Sequence, residues 1–308
     1  MKTFTLRDIN ENIQKNPREF IAECENNYTM QIENVVDMVL RRLPESPIIL
    51  INGPSSSGKT TTSRRIQQCL EGQGKTCYTI SMDDYYLNRN SIQFPLDEEG
   101  NVDLESPLCM DLPLLNRHLE HLVQGEEIAV PQYDFITKCR TNQTKKIHLE
   151  SDTVVVIEGL HALNDSIVGS LGDRATGVYI SLAAEVVIEE EPDFVLGKNM
   201  LRFVRRAIRD YNFRGASIEK TIAMWKSVVR GEKLYIAPFK KNAAIKINSY
   251  MPYESGILMP MIHEKLKGHQ KDLESIELGS LLKAVDLFAA IEYQNDMPKD
   301  SLLHEFIG

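Results

Sequence analysis

The stretch of sequence that decides the fold runs from Ile48 to Thr60 and reads IILINGPSSSGKT. Its first four residues are all apolar, and such a short apolar run predicts a buried β-strand. The residues from Gly53 onward fit the pattern G-x-x-x-x-G-K-[ST], in which a loop between a strand and a helix binds phosphate groups. We therefore expect a strand, a phosphate-binding loop and then a helix that begins near Lys59.

Each part of this motif has a physical role in holding a nucleotide. Glycines let the backbone turn tightly, so that its N–H groups approach phosphate oxygens, and the N-terminus of the helix attracts the same anion. Lys59 is a predicted catalytic residue that carries a positive charge for the β- and γ-phosphates, and the Thr60 hydroxyl is a predicted ligand of Mg²⁺. The motif thus predicts that ATP and Mg²⁺ bind, without distinguishing ATP from GTP. The residues expected to contact the nucleotide are Gly53, Ser55, Ser56, Ser57, Gly58, Lys59, Thr60 and Thr61.

Candidate strands and helices alternate along the rest of the chain. The expected strands are 77–81, 153–157, 177–182 and 244–247, and the expected helices include 112–123, 252–266 and 278–291. This alternation predicts an α/β fold of the P-loop NTPase type, with a mostly parallel sheet and helices on both faces. Two helices are expected within residues 1–45. We therefore predict an N-terminal helical extension at 1–45, followed by a P-loop domain at 46–308.

The composition limits the kinds of protein that are expected. The chain has 308 residues and a net charge of −9, and an acidic surface argues against nucleic-acid binding, which usually needs a basic excess. Its five cysteines form no C-x-x-C pair, which is typical of reduced thiols inside the cell. The N-terminus lacks the apolar core of a signal peptide, and no apolar run is long enough to span a membrane. We predict a cytoplasmic protein that binds neither nucleic acid nor membranes, and leave open whether it forms a homo-oligomer.

Acidic residues directly follow two of the predicted strands. Asp83 comes after the strand near 77–82, and Glu158 comes after the strand at 153–157. Because ligands of open α/β sheets bind beyond the carboxyl ends of the strands, both carboxylates are expected near the phosphate-binding loop. A carboxylate there can accept the proton of a hydroxyl group that attacks the γ-phosphate. We predict this catalytic role for Asp83, with Asp84 as the alternative, and predict that Asp83 and Glu158 are ligands of Mg²⁺.

Several further runs, in order, resemble the uridine kinase branch of the uridine kinase and phosphoribulokinase superfamily. After the phosphate-binding loop they are SMDDYY at 81–86, PQYDF at 131–135, IEGLH at 157–161, the arginine-containing stretch 202–215 and the stretch 225–232. The resemblance covers residues from about 45 to 308, and the last nine residues are similar to the ending of a bacterial subset. It implies an ATP- and Mg²⁺-dependent kinase whose expected acceptor is the 5′-hydroxyl of a nucleoside such as uridine or cytidine.

The resemblance also implies a substrate pocket. It puts Asp103 at the position that holds the ribose hydroxyls, and puts three aromatic residues around the substrate. The predicted substrate residues are Tyr86, Asp103, Tyr133, Phe135, Arg140 and Arg214. Aromatic side chains are more often part of a hydrophobic core than of a ligand site, so the residue types alone leave these assignments open.

A basic cluster lies in the region 198–232. Its members are Arg202, Arg205, Arg206, Arg209 and Arg214. The first four are spaced at i, i+3, i+4 and i+7, which puts them on roughly one face of a helix. We predict a lid that closes over ATP, in which Arg202 contacts the nucleotide while Arg205 and Arg209 stabilise charge on the transferred phosphoryl group. The resemblance supports this lid, because the family has arginines at matching positions; the alternative is a solvated helix face.

One position departs from the resemblance. Well-matched uridine kinases carry a histidine three residues after the phenylalanine of Tyr-Asp-Phe, and this chain has Lys138 there. A lysine recognises anions and carbonyl groups differently from an imidazole, so recognition of uracil stays open. A nucleoside is the expected acceptor, and a sugar phosphate or pantothenate is the alternative. A nucleotide-binding sensor that lacks catalysis is an alternative of a different class.

Overall fold

The computed structural model describes residues 2–89, 94–134, 136–188 and 195–308; Phe135, a predicted substrate residue, lies outside them. The strands are β1 (Lys2–Thr5), β2 (Ile48–Asn52), β3 (Thr76–Ser81), β4 (Ile128–Asp134), β5 (Cys139–Ile147), β6 (Thr153–Glu158), β7 (Ala175–Ser181), β8 (Ala184–Val187), β9 (Val195–Leu196) and β10 (Ile245–Asn248). The helices are α1 (Leu6–Lys15), α2 (Pro17–Arg42), α3 (Lys59–Gly72), α4 (Leu112–Val123), α5 (Asp165–Leu171), α6 (Lys198–Phe213), α7 (Ile218–Gly231), α8 (Glu254–Leu266), α9 (Gln270–Ser275), α10 (Leu281–Ala284) and α11 (His304–Ile307). In this described part of the chain, no helix combines the length and the apolar character that crossing a membrane requires.

Five strands form the central sheet in the order β10-β7-β2-β6-β3, and all neighbouring pairs are parallel. In the middle strand, Ile51 lies between Val178 of β7 and Glu158 of β6. Every residue of β2 and β6 is buried, as expected for parallel strands that are covered on both faces. The predicted α/β fold with a mostly parallel sheet is confirmed.

Helices cover both faces of this sheet. Ile49 and Ile51 belong to a hydrophobic cluster with residues of α2, α3, α6 and α8, whereas Ile48 and Leu50 belong to a second cluster with residues of α4 and α5. The two clusters are separated by the sheet, because successive side chains of a strand point to opposite faces. The loops that follow β2, β3 and β6 are therefore left together at the carboxyl edge of the sheet, where ligands of such folds bind.

The N-terminal region packs directly on the helix that follows the phosphate-binding loop. It contains the two predicted helices, α1 and α2, and also β1, a strand that the sequence did not predict and that pairs in parallel with β8. From α2, the Tyr28 hydroxyl contacts the Thr62 hydroxyl, and Glu25 forms an ion pair with Arg65; both partners lie on α3. Apolar residues of this region and of the sheet belong to one hydrophobic cluster.

The predicted helix at 278–291 is wrong, because only α10 is helical there. The side-chain nitrogen of Asn10 donates to the carbonyl oxygen of Leu287 at 2.8 Å, and its side-chain oxygen accepts from the N–H of Ala289 at 2.8 Å. Backbone groups that a continuing helix would use are thus bonded to a side chain of α1. Local apolar spacing does not reveal such a distant partner.

An antiparallel hairpin of β4 and β5 was also missed by the sequence analysis. Most of β5 is polar and exposed, so it lacks the alternating apolar pattern that indicates a strand. The hairpin lies against the segment after β3, since the N–H of Tyr133 donates to Asp84 and the N–H of Arg89 donates to the carbonyl oxygen of Lys138. It thereby brings Tyr133 and Lys138 to the carboxyl edge of the sheet.

Candidate active site

The loop between β2 and α3 has the backbone that its sequence predicts. Gly58 adopts a φ of 86°, which favours glycine, and Lys59 is the first residue of α3. A Cβ atom at Gly53 would collide with a backbone carbonyl oxygen. The hydroxyl oxygens of Ser56 and Ser57 are buried and have no hydrogen-bond partner among the described residues. Because unsatisfied buried polar groups are costly, these hydroxyls fit a loop that binds an oxygen-rich anion.

A cavity of about 730 Å³ opens beside this loop, at the carboxyl edge of the sheet. The predicted site residues that line it are Ser55, Ser56, Gly58, Lys59, Thr60, Asp83, Tyr86, Tyr133, Glu158, Arg209 and Arg214. They come from the phosphate-binding loop, from the segments after β3 and at the end of β6, from the hairpin and from α6. The volume lies in the range of small-molecule sites. The structure therefore brings most of the predicted site residues together in one cavity.

The two predicted carboxylates stand at the ends of neighbouring strands. Ser81 of β3 and Glu158 of β6 are partners in the sheet, and the Ser81 hydroxyl donates to the Glu158 carboxylate at 2.8 Å. Asp83 follows in the next turn and lines the cavity with Glu158. Asp84 instead accepts from the backbone N–H of Tyr133 at 3.0 Å and is not one of the described lining residues. The arrangement favours Asp83 over Asp84 as the group that reaches a substrate.

Burial dominates the ionisation of these groups. It raises the pKa of Glu158 to about 7, although the nearby positive charge of Lys59 opposes the shift. Burial also raises the pKa of Asp83, again against the effect of Lys59. The pKa of Lys59 is lowered by its own burial, while Glu158, Asp83 and Glu305 act in the opposite direction. Proton binding in this cavity is therefore coupled to any cation or anion that enters it.

The oxygen atoms at this edge of the sheet fit a magnesium ion. Thr60 offers a hydroxyl group, and Asp83 and Glu158 offer carboxylates to the same cavity. Within the described ranges, no group of three or more His, Cys, Asp and Glu side chains could hold a metal ion by itself. Mg²⁺ needs no such group, because it commonly binds one or two carboxylates together with waters and substrate phosphates. The donor set therefore suits Mg²⁺ that arrives with a nucleotide.

Helix α6 packs its arginine face against the phosphate-binding loop. Arg202 Nε donates to the carbonyl oxygen of Ser55 at 3.1 Å, and Arg206 Nη1 donates to the hydroxyl of the same serine at 2.7 Å. Arg205 Nη1 donates to the carbonyl oxygen of Ser56 at 3.4 Å. All three arginines are buried, so the alternative of a solvated helix face is wrong.

Two arginines of α6 that were predicted to contact ATP or the transferred phosphoryl group lie behind the phosphate-binding loop instead. Arg202 forms an ion pair with Glu232, and Arg205 forms an ion pair with Glu254. Neither arginine is among the described residues that line the cavity. Both arginines support the loop from its protein side in this structure, and the predicted contacts of Arg202 with ATP and of Arg205 with the phosphoryl group stay predictions. Of the predicted basic cluster, Arg206, Arg209 and Arg214 line the cavity. Closure of this region as a lid stays a prediction.

The predicted substrate residues divide into two groups. The rings of Tyr86 and Tyr133 lie in the cavity with centroids 5.7 Å apart. Asp103, in contrast, is buried and accepts from Arg230 at 2.9 Å and from the Tyr235 hydroxyl at 2.8 Å. Its carboxylate is already bonded to these two residues, and Asp103 is not among the described residues that line the cavity. This arrangement does not support its predicted contact with ribose hydroxyls.

Arg140 is also placed away from the cavity. Its guanidinium group donates to the carbonyl oxygens of Tyr85 at 2.9 Å and Tyr86 at 3.1 Å, and it forms an ion pair with Asp111 at 3.1 Å. These bonds hold the turn that follows β3, which carries Asp83. Arg140 therefore holds the turn that carries Asp83, and its predicted direct contact with substrate stays a prediction.

Sequence reasoning missed several lining residues of the cavity. Arg89 lies beside Lys138, and His304, Glu305 and Gly308 come from the last residues of the chain. These residues match no motif, and the last three are far from the phosphate-binding loop in sequence. The similarity of the final nine residues to a bacterial subset was the one available signal, and it carries no chemistry by itself.

Comparisons with known proteins agree with the fold and the loop. The model of the Phosphoribulokinase / Uridine kinase family matches residues 48–253. Uridine kinase from Deinococcus deserti is 31% identical over 201 residues, which are 65% of this chain and 86% of that protein. Uridine kinase from Bacillus subtilis is 30% identical over 205 residues, which are 66% and 86% of the two chains. A solved structure from Silicibacter sp. TM1040, named as a candidate fructose transport system kinase, has a TM-score of 0.50 at 16% identity and covers 70% of this chain and 98% of its own.

The parallel sheet, the phosphate-binding loop and the carboxylates beside it define the class of P-loop kinases. The chain belongs to the Phosphoribulokinase / Uridine kinase family, because the family model matches more than half of the chain. Its matched part begins at β2 and ends just after β10, so α1, α2 and the C-terminal residues lie outside it.

Proposed function

We propose that this chain transfers the γ-phosphoryl group of ATP to a hydroxyl group of a small molecule, with a nucleoside as the first candidate. The observation that carries the proposal is that Asp83 shares one cavity with Lys59 and Thr60 of the phosphate-binding loop. In this proposal Asp83 is the base for the acceptor hydroxyl and the loop holds the donor phosphates, and phosphoryl transfer requires both to face one cavity.

Each part of the cavity has a role in this reaction. Asp83 accepts the proton of the attacking hydroxyl, and the loop backbone with Lys59 holds the phosphates. Arg209 and Arg214 line the cavity and pair with Asp210, and in this proposal they stabilise negative charge on the transferred group. Thr60, Asp83 and Glu158 would hold Mg²⁺, which supplies positive charge to the phosphate oxygens.

The aromatic end of the cavity supports a nucleoside acceptor. Tyr86 and Tyr133 present two rings to the cavity, and rings of this kind can contact the flat face of a base. Relatives that are about 30% identical carry the name uridine kinase. Identity at this level supports the reaction type better than the choice of acceptor.

A second candidate, an alcohol that carries a negative charge, is favoured by the cations at the same end. Arg89 and Lys138 line the cavity, and the N–H of Arg89 donates to the carbonyl oxygen of Lys138 at 3.2 Å, so their backbones are fixed side by side. Two cations in the lining of this cavity would attract a phosphate or carboxylate group of an acceptor.

The test is ADP release with Mg²⁺-ATP and a panel of acceptors: uridine, cytidine, other nucleosides, ribulose 5-phosphate and pantothenate. Turnover with a nucleoside supports the first candidate, and turnover only with an anionic acceptor supports the second. Measurable ADP binding without turnover on the panel would favour a nucleotide sensor. A chain that neither binds ADP nor turns over any acceptor would contradict the proposal.

Replacement of Lys138 distinguishes the two acceptors. If the acceptor is anionic, Lys138→Ala should raise its KM by about tenfold, since loss of one charge-assisted contact costs about 1.5 kcal/mol. If the acceptor is a neutral nucleoside, KM should change by about twofold or less. The matched control is Lys146→Ala, which removes an exposed lysine of the same hairpin that pairs with Glu127. Equal effects of both variants would show that Lys138 has no specific role in acceptor binding.

The raised pKa of Glu158 predicts a pH-dependent need for Mg²⁺. With a pKa of about 7, this carboxyl is mostly protonated at pH 6 and mostly charged at pH 8, and only the charged form binds a cation. The Mg²⁺ concentration for half-maximal rate should therefore be about tenfold higher at pH 6 than at pH 8. Rates measured in Mg²⁺ titrations at both pH values test this. In the variant Glu158→Gln, the Mg²⁺ requirement should be nearly the same at the two pH values. A wild-type Mg²⁺ requirement that is the same at both pH values would contradict the assignment.

A further inference from the structure

The last residues of the chain, 301–308, pack over the start of α3. Leu302, Leu303 and Phe306 are fully buried, so this C-terminal segment is anchored to the domain. A Cβ atom at Gly58 would collide with the Leu302 side chain, which shows how closely the segment approaches the phosphate-binding loop. The segment lies beyond the residues 48–253 that match the family model.

Glu305 projects from this segment into the predicted phosphate site. Its Oε2 atom accepts from the backbone N–H of Thr61 at 3.3 Å and from the Thr61 hydroxyl at 3.0 Å. Thr61 lies in the first turn of α3, where backbone N–H groups lack partners within the helix and attract anions. The carboxylate thus occupies an anion-binding position of the loop.

A nucleotide phosphate and this carboxylate need the same donors. The N–H groups at the start of a P-loop helix are those that hold nucleotide phosphates. Glu305 also acts electrostatically on Lys59 and Arg214, two cations that line the cavity. A phosphate that approached Thr61 would meet a negative charge and an occupied donor, and like charges at contact distance repel strongly.

We propose that Glu305 is a further residue of the nucleotide site, one that competes with a nucleotide phosphate for Thr61 and lowers nucleotide affinity. Binding of the nucleotide then includes displacement of the Glu305 side chain from Thr61. This inference rests on the proposed nucleotide-binding function. The alternative is that Glu305 is a permanent cap of α3 that a nucleotide leaves in place.

Calorimetric titration of the full chain with ADP tests the proposal. Glu305→Gln keeps the size of the side chain and removes its charge, and it should lower the Kd for ADP by about tenfold. Asp300→Asn is the matched control, because it removes a carboxylate of the preceding turn that pairs with Arg65 and is absent from the described cavity lining. It should leave the Kd within about twofold of the wild-type value.

The possible results separate this inference from the proposed function. An unchanged or higher Kd in Glu305→Gln, with ADP still bound by the wild-type chain, would overturn the competition and leave the proposed function standing. An equal gain in affinity in Asp300→Asn would show a general charge effect and would also overturn it. Absence of ADP binding in the wild-type chain and in Glu305→Gln would remove the proposed function and this inference together.

Discussion

Asp83→Asn should lower kcat by about 10²–10⁴-fold, which is the usual contribution of a positioned general base. The asparagine keeps the size and the polar character of the side chain but cannot accept a proton from the acceptor hydroxyl. Lys59 and Thr60 are unchanged, so the Kd for ADP should stay within a few-fold of the wild-type value. Steady-state rates and ADP titrations measure the two quantities separately.

Asp84→Asn is the control for this prediction. Asp84 accepts from the N–H of Tyr133 and thereby holds the hairpin, but it is absent from the described lining of the cavity. Its replacement should raise the KM of the acceptor through displacement of Tyr133, with a much smaller effect on kcat. A loss of kcat in Asp84→Asn as large as in Asp83→Asn, or full activity of Asp83→Asn, would contradict the assignment of the base.

The parts of the site that the sequence predicted well are local. The phosphate-binding loop is a continuous motif whose backbone requirements, such as the left-handed Gly58, are written in the residues themselves. Asp83 and Glu158 could be placed because each follows an apolar strand, and the ends of parallel strands meet at one edge of the sheet. A single pattern in one short stretch was sufficient in each case.

The parts that the sequence did not predict depend on distant partners. Asp103 is bonded to Arg230 and Tyr235, which are 127 and 132 residues away, and no local pattern links these positions. Helical spacing correctly put Arg205 and Arg209 on one helix, but it does not show which of them points into the cavity. Glu305 reaches Thr61 across 244 residues, and neither residue type indicates the contact.

The buried ion pair behind the loop leads to the largest expected loss of stability. Arg205 and Glu254 are almost completely buried, with exposed fractions of 0% and 1%. Arg205 also donates to the carbonyl oxygens of Ser249 at 2.8 Å and of Ser56 at 3.4 Å, so it links α8 to the phosphate-binding loop. Glu254→Gln would leave the guanidinium charge buried without a countercharge, which typically costs about 3–5 kcal/mol. Urea unfolding should show this decrease in the free energy of unfolding.

A double variant separates the cost of the unpaired charge from the value of the pair itself. Replacing both partners by apolar residues, as Arg205→Met with Glu254→Leu, removes the uncompensated charge, and such replacements are often neutral or stabilising. The double variant should therefore unfold at a higher urea concentration than Glu254→Gln. Its ADP affinity should nevertheless stay below that of the wild-type chain, because the bond from Arg205 to the carbonyl oxygen of Ser56 is lost. Recovered stability of the double variant together with wild-type ADP affinity would show that Arg205 stabilises the fold without shaping the loop. A Glu254→Gln variant that is as stable as the wild type would show that the buried charge is tolerated.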